Sequence, residues 1–239
     1  MTAMTGAVTT DPNQTGRAGR KGTVATGRRL TADARRRQLF DVALSLFAEH
    51  GYAATTMDDI AEAAGVTKPL VYQHFDSKRA LYLELMDVFS RELVSRIVTA
   101  TARAEGPRQQ VELGFAAYFE QMVENEQAFR LLYGRDAPDD LELGEALRRV
   151  EETLAQAIDP LIDAGLDPEH RLLLAHAVVG MAEGASRHWL DARRVHPGPA
   201  DGAPLPESAI GAVQDGDASH LATRLADFAW AGLRQVHRI

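Results

Sequence analysis

The sequence predicts an all-α protein with a small N-terminal helical domain and a larger C-terminal helical bundle. From Thr31 onward, apolar residues recur at intervals of three and four, which is the period of one helix face. Threonine, serine and glycine stand where such helices are expected to begin and end. No segment alternates between apolar and polar residues as a half-buried strand does.

The composition excludes several classes of protein. The chain has 239 residues, 45% of them hydrophobic, no cysteine and a formal net charge of −8. A core of ordinary size is therefore possible, while disulfides, thiolate zinc sites and iron–sulfur clusters are excluded. No apolar run approaches the ~20 residues that a membrane span needs.

Positive charge is concentrated near the start of the chain. Residues 1–80 hold eleven Lys/Arg against eight Asp/Glu, whereas the other 159 residues hold fifteen against twenty-six. Residues 1–29 contain few large apolar side chains, so we expect a disordered basic arm there. This arm has no apolar stretch of the kind found in secretory signals, and we therefore expect a cytoplasmic protein. A basic arm on an acidic body favours a nucleic-acid contact, although a solvated tail has the same composition.

The first two helices have clear start and stop signals. The first is expected to begin after Thr31, a suitable cap, and to end at Gly51, which can adopt positive φ. Thr56 starts the second helix, and Asp59 three residues later completes a capping-box pattern. Gly65 ends this helix after about two and a half turns.

A third, very short helix and a longer fourth helix follow. Thr67 is the expected cap of the third helix, which runs from Lys68 to about Phe75 with Pro69 in its tolerant first turn. Asp76 or Ser77 caps the fourth helix.

Everything further along the chain that has a regular pattern is predicted to be helical. An aromatic-rich stripe runs from residue 111 to residue 122, and the segment 195–218, with four prolines and four glycines, is predicted to be a long loop. Further helices are expected at 126–133, 139–164, 168–192 and 219–236.

The second and third helices, joined by a brief turn that contains Gly65, have the layout of a DNA-binding helix-turn-helix. An eight-residue helix is marginal alone, so Val71 and Phe75 are expected to attach it to the core. The residues left facing outward include donors suited to phosphates or base edges. They are Lys68, Pro69, Leu70, Tyr72, Gln73 and His74. Lys78 adds a cation beside the free N–H groups that begin the fourth helix, as a phosphate clamp.

The segment GYAATTMDDIAEAAGVTKPLVYQHFDSKRALYLELM resembles the N-terminal DNA-binding domain of the TetR/AcrR bacterial repressors. The shared features are G-Y/F-x-x-T-T-x-x-x-I-A-x-x-A-G-V-[ST]-K, then L/V-Y-x-H-F, then x-S-K-x-x-L, and the likeness covers residues 31–85. The resemblance implies a homodimer whose C-terminal domain binds a ligand that usually releases DNA. The domains would then be 1–29 as the arm, 30–80 as the DNA-binding domain and 81–239 as the effector-binding and dimerisation domain.

The resemblance also implies roles for matching positions. The residues that would hold phosphates are Thr56, Tyr72, His74 and Lys78, and those that would approach bases are Lys68, Pro69, Leu70 and Gln73. Arg28, Arg29 and Arg35–Arg37 could reach phosphates or an adjacent minor groove. The second helix carries Asp58, Asp59 and Glu62, and some relatives have a basic residue near Asp58 that touches DNA. Base contacts from the second helix are therefore doubtful.

The C-terminal bundle offers two sets of candidate residues. Aromatic, methionine and histidine side chains that could line a ligand pocket, or form ordinary core, are Tyr118, Phe119, Met122, Phe129, Tyr133, Met181, His188 and Trp189. Small and apolar residues that suit a two-fold four-helix dimer interface are Ala177, Gly180, Gly184, Ala185, Leu221, Leu225, Phe228 and Ala229. The second assignment rests partly on the resemblance.

The sequence as a whole predicts a ligand-responsive repressor that binds a near-palindromic operator and is released by a hydrophobic or amphipathic effector. An activator, or a regulator without an effector, would have the same DNA-binding half. A catalytic helical bundle is a further alternative, but the chain contains no Glu-x-x-His, G-x-S-x-G, P-loop or dinucleotide motif. We expect no enzyme activity, no metal and no cofactor.

Overall fold

The computed structural model describes residues 30–133, 141–162, 165–195 and 218–236. All regular elements within these ranges are helices, which confirms the predicted all-α fold. The predicted basic arm and nearly all of the predicted 195–218 loop lie outside the described residues. None of the described helices is both long and apolar enough to cross a membrane.

Helix α1 (Ala32–His50) and helix α2 (Met57–Ala63) have the predicted caps. The Thr31 hydroxyl accepts the Ala34 amide at 3.2 Å, and Gly51 has a φ of 82°. At α2, Thr56 Oγ1 accepts the Asp59 amide at 3.2 Å while the Asp59 carboxylate accepts the Thr56 amide at 2.8 Å. The Thr56 hydroxyl also donates to this carboxylate at 2.8 Å, and this bond, followed by the bond from the Thr56 amide, lowers the pKa of Asp59.

Helix α3 (Lys68–His74) is only seven residues long, and helix α4 (Lys78–Thr101) is the long connection to the rest of the chain. Thr67 precedes α3 in an extended conformation but makes no side-chain capping bond. Of the two alternatives for the cap of α4, the structure selects Ser77, whose hydroxyl accepts the Ala80 amide at 3.0 Å.

The C-terminal body begins within α4 and continues through five more helices of the described ranges. These are α5 (Pro107–Glu124), α6 (Glu126–Tyr133), α7 (Leu141–Ile158), α8 (Pro168–Val195) and α9 (Ala218–Val236). The predicted 139–164 helix is shorter than expected: α7 ends at Ile158 and a 3₁₀ turn covers Asp159–Leu161. Pro160 explains the change, since proline has no N–H for the helical ladder.

One apolar core runs through the whole described structure. Helix α5 is central, because it packs against both α4 and α9, while α4 also packs against α7. Helix α4 contributes buried residues along its entire length, from Leu81 to Thr101. The small N-terminal domain and the larger body are therefore joined by one continuous helix about 36 Å long.

Candidate nucleic-acid interface and apolar cavity

Helix α3 is attached to the protein by few residues and presents most of its surface outward. Val71 is completely buried, and Phe75 directly after the helix is also buried. Four residues are exposed and form what we name the recognition face: Lys68, Pro69, Tyr72 and Gln73. Leu70 and His74 are half-buried at its edges. The structure thus brings the predicted base- and phosphate-contacting residues of α3 together on one outward surface.

Arg36 of α1, one of the arginines predicted to reach phosphates or the minor groove, fixes the end of α3. Its guanidinium donates to the His74 carbonyl at 2.8 Å, forms an ion pair with Glu84 of α4, and lies 4.4 Å from the centre of the Phe75 ring. A single side chain therefore links α1, α3 and α4. Its partners lie 38 and 48 residues further along the chain, so sequence spacing gave no signal for these contacts.

Lys78, the expected phosphate clamp, donates to backbone carbonyl oxygens of the protein itself. Its ammonium donates to the carbonyl oxygens of Tyr52 and Thr55, both at 2.7 Å, and to that of Ala53 at 3.3 Å. It also lies 4.3 Å from the centre of the Tyr52 ring. An ammonium has three protons, and each has an acceptor here. Burial lowers the pKa of Lys78. The side chain thus holds the loop between α1 and α2 against the start of α4.

Lys68, by contrast, is exposed and pairs with an acidic neighbour. Its ammonium lies 2.8 Å from one carboxylate oxygen of Asp58 and 3.0 Å from the other. The hydrogen bond to Asp58 raises the pKa of Lys68. Asp58, one of the three acidic residues that seemed unfavourable for DNA contact, is therefore paired with a cation of the recognition face.

The other predicted DNA-contacting residues are placed less centrally. Thr56 is exposed and is engaged in the cap of α2. Arg35 is half-buried, and its guanidinium donates to Gln38 at 2.6 Å. Arg28 and Arg29 lie outside the described residues.

An apolar cavity lies in the C-terminal body, between α4, α5, α7, α8 and α9. Its volume is about 100 Å³. Its lining in the described part of the chain contains no charged residue, and its polar groups are confined to Thr101, Gln110, Tyr118 and Trp230. Mostly apolar walls with a few polar groups are typical of small-molecule sites, although such sites usually have larger volumes, about 300–1,000 Å³.

Tyr118 is the only one of the eight predicted pocket residues that lines this cavity. It is buried, its hydroxyl accepts a hydrogen bond from Ser186 at 3.2 Å, and burial raises its pKa. Phe119, Met122, Phe129, Tyr133 and Trp189 are buried in the common core, Met181 packs against that core, and His188 is exposed. The cavity wall is instead made largely of aliphatic residues such as Ile97, Leu154 and Val178. Helical periodicity predicted burial for both sets and could not separate core from cavity wall.

Glu183 carries a half-buried carboxylate one helical turn before Ser186, the hydrogen-bond partner of Tyr118. Burial raises the pKa of Glu183, and the neighbouring carboxylate of Glu151 on α7 raises it further. Arg187 forms an ion pair with Glu183 and acts in the opposite direction. The described residues contain no group of three histidine, aspartate or glutamate side chains placed to hold a metal ion.

The predicted dimer residues divide into exposed and buried groups. Along α8, Ala177, Gly180 and Gly184 are exposed at the spacing of one helix face, and Ala185 is half-buried. Along α9, Phe228 is 69% exposed, Leu221 and Leu225 are half-buried, and Ala229 is buried within the chain's own core. Leu173, 65% exposed, extends the α8 stripe and was not predicted.

The chain is similar to known regulators in sequence and in fold. Residues 39–85 match the profile of bacterial regulatory proteins of the tetR family. Over 213 residues the chain is 32% identical to the HTH-type transcriptional activator FasR of Mycolicibacterium smegmatis, and the match covers 88% of each chain. It is 45% identical over 62 residues to the HTH-type transcriptional repressor KstR2 of Rhodococcus jostii, which covers 26% of this chain and 30% of that one.

Solved structures show the same fold at low sequence identity. The fatty acid degradation regulator FadR from Bacillus halodurans superposes with a TM-score of 0.68 at 18% identity, covering 87% of this chain and 99% of that one. FadR from Bacillus subtilis in complex with stearoyl-CoA superposes with a TM-score of 0.63 at 16% identity, covering 81% and 96% of the respective chains.

Proposed function

Because the chain belongs to the TetR family of DNA-binding transcriptional regulators, we propose that it is a homodimer whose affinity for a near-palindromic operator is controlled by an apolar ligand in the C-terminal cavity. The observation that carries this proposal is the course of α4. Its first residue, Lys78, holds the DNA-binding domain, and its last turns supply Ile97 and Thr101 to the cavity wall.

Contacts at the first half of α4 support this coupling. Arg36 links Glu84 of α4 to the carbonyl of His74 at the end of α3. A shift of α4 that follows ligand entry would therefore act through Arg36 on α1 and on the end of α3. Reversal of DNA occupancy from 1:99 to 99:1 requires the ligand to prefer the released conformation by about 10⁴-fold.

The exposed apolar stripe along α8 and α9 supports a dimer built from these two helices. Small residues such as Gly180 and Gly184 allow close approach of a second helix, and Phe228 supplies an exposed aromatic anchor. A two-fold dimer would place two recognition faces in successive major grooves, roughly 34–36 Å apart.

The uncharged, mostly aliphatic walls of the cavity favour an apolar ligand. The lining has no charged side chain among the described residues, and the likeness to the Bacillus subtilis FadR bound to stearoyl-CoA favours a long-chain acyl group. We therefore propose a long-chain acyl thioester as the effector class.

Fluorescence anisotropy with a labelled duplex tests the proposal. The duplex is the one that the purified protein selects from a random library of roughly 30 base pairs, three turns of the double helix. We expect stearoyl-CoA to change the affinity for this duplex, whereas acetyl-CoA and free CoA leave it unchanged. An affinity that does not depend on acyl length would contradict the effector proposal.

One observation favours activation of transcription, rather than repression, as the effect of this protein. The relative that matches 88% of the chain, FasR, is an activator, whereas the repressor KstR2 matches 26% of it. A promoter fusion measured with and without the gene separates the two: loss of the protein raises expression under repression and lowers it under activation.

A further inference from the structure

We propose that Asp58 is a specificity-determining residue, which holds the Lys68 ammonium for base recognition and keeps it from pairing with phosphates of DNA of any sequence. This inference rests on the proposed role of α3 in DNA recognition. It assigns a positive function to an acidic residue at the DNA-binding surface.

A bidentate ion pair between Asp58 and Lys68 joins the two short helices α2 and α3. Asp58 is the second residue of α2, and Lys68 is the first residue of α3. The ammonium lies 2.8 Å and 3.0 Å from the two carboxylate oxygens. Two of its three protons are thus directed at Asp58, and one remains for another acceptor.

The other charged and titratable groups of this region leave Asp58 as the acceptor for Lys68. The carboxylate of Asp59 is engaged in the cap of α2. Glu62, one helical turn beyond Asp58 on the same face of α2, makes no ion pair with Lys68 in the described structure. Tyr72, one turn along α3, is the neighbouring phenol.

The Asp58–Lys68 ion pair affects the affinity for specific DNA and the affinity for nonspecific DNA differently. Nonspecific binding depends on contacts between cations and phosphates, each of which steepens the salt dependence. A phosphate that binds Lys68 must replace Asp58 and approach its negative charge, so this contact is disfavoured on DNA of any sequence. A guanine in the major groove offers N7 and O6 as neutral acceptors for the third proton, and Asp58 can stay in place.

The test compares two neutralising substitutions on the same helix face. D58N removes the partner of Lys68, and E62Q, the matched control, removes one negative charge a turn away. Affinities are measured for the selected duplex and for a scrambled duplex of equal length over a series of salt concentrations. The same measurements on K68M and on the double variant D58N/K68M complete a cycle, and thermal unfolding shows that each variant is folded.

We expect D58N to raise affinity for the scrambled duplex about five- to tenfold near 0.1 M salt and to steepen its salt slope by about one, as one added phosphate contact does. The preference for the selected duplex should fall accordingly, while E62Q leaves this preference unchanged. In the K68M background, D58N should have no effect on it.

Two results would overturn the inference: a D58N preference equal to that of E62Q, or a D58N effect that persists without Lys68. If the unmodified protein binds the selected and the scrambled duplex equally, the proposed operator recognition fails, and the role of Asp58 fails with it. A wild-type preference combined with either of the first two results removes only the role of Asp58.

Discussion

Lys78→Met should destabilise the protein and leave the salt dependence of DNA binding unchanged. Methionine keeps the length and apolar stem of lysine but removes its three donors. The carbonyls of Tyr52 and Thr55 each lose a bond of 2.7 Å, and that of Ala53 loses a weaker one of 3.3 Å. Hydrogen bonds to charged groups contribute about 1.5–3 kcal/mol each when buried.

The site is only half-buried, so water can replace part of what is lost. We therefore take the lower end of that range for the two short bonds and expect a loss of about 2–3 kcal/mol. For a chain of this length, this corresponds to a decrease in Tm of about 5–10 °C. Circular dichroism reports on the whole chain, whereas the two tryptophans, Trp189 and Trp230, report on the body alone. Because one apolar core joins the N-terminal domain to the body, both probes should show the same decrease in Tm.

Lys68→Met is the matched control, because Lys68 is exposed and has no carbonyl partners of this kind. It should alter DNA binding with little change in Tm. The reasoning would be refuted if Lys78→Met left Tm within about 1 °C of wild type and lowered the salt slope by about one, the result expected for loss of a phosphate contact.

Three further predictions concern the body of the protein. Gly114→Leu should fill the cavity and abolish the response of DNA binding to stearoyl-CoA, while DNA binding itself stays intact. Gly114→Ala should keep this response, because a Cβ at this position makes only an ordinary van der Waals contact. Fluorescence anisotropy with the labelled duplex measures both variants. Phe228→Glu should convert the dimer to monomer in light scattering and Val123→Glu, on an exposed site of α5, should not. Glu183→Gln should raise Tm at pH 7 and have little effect below the ordinary carboxyl pKa of 4.5. Burial and the Glu151 carboxylate raise the pKa of Glu183 in the folded state. The stability that the protonated carboxyl allows at low pH is therefore lost as pH rises through this folded-state pKa. Equal destabilisation of the variant at both pH values would contradict this assignment.

Local signals in the sequence were sufficient to predict the N-terminal domain. Thr31, Thr56 and Ser77 form caps with residues three positions away, so each helix start depends on the short segment around it. The exposure of Tyr72 and the burial of Val71 likewise follow from helical spacing once the start of α3 is known. Propensity and capping act within one or two turns, which is the range that a sequence pattern covers.

Contacts between distant segments could not be predicted in the same way. Lys78 binds carbonyl oxygens, which every residue carries, 23 to 26 positions away. Most of the cavity's lining was missed for a related reason. Periodicity identifies the apolar face of α5, but only the placement of α7 and α9 decides that Tyr118 borders a space while Met122 is enclosed by side chains.

The separation between what holds α3 and what α3 presents has a consequence for evolution. Val71 and Phe75 anchor the helix, Arg36 ties its last carbonyl, and none of these contacts involves a side chain of the recognition face. We therefore expect substitutions at Pro69, Tyr72 or Gln73 to alter which duplex is bound at little cost in folding stability. After gene duplication, two copies could acquire separate operators through changes at these surface positions while keeping one common scaffold and one effector cavity.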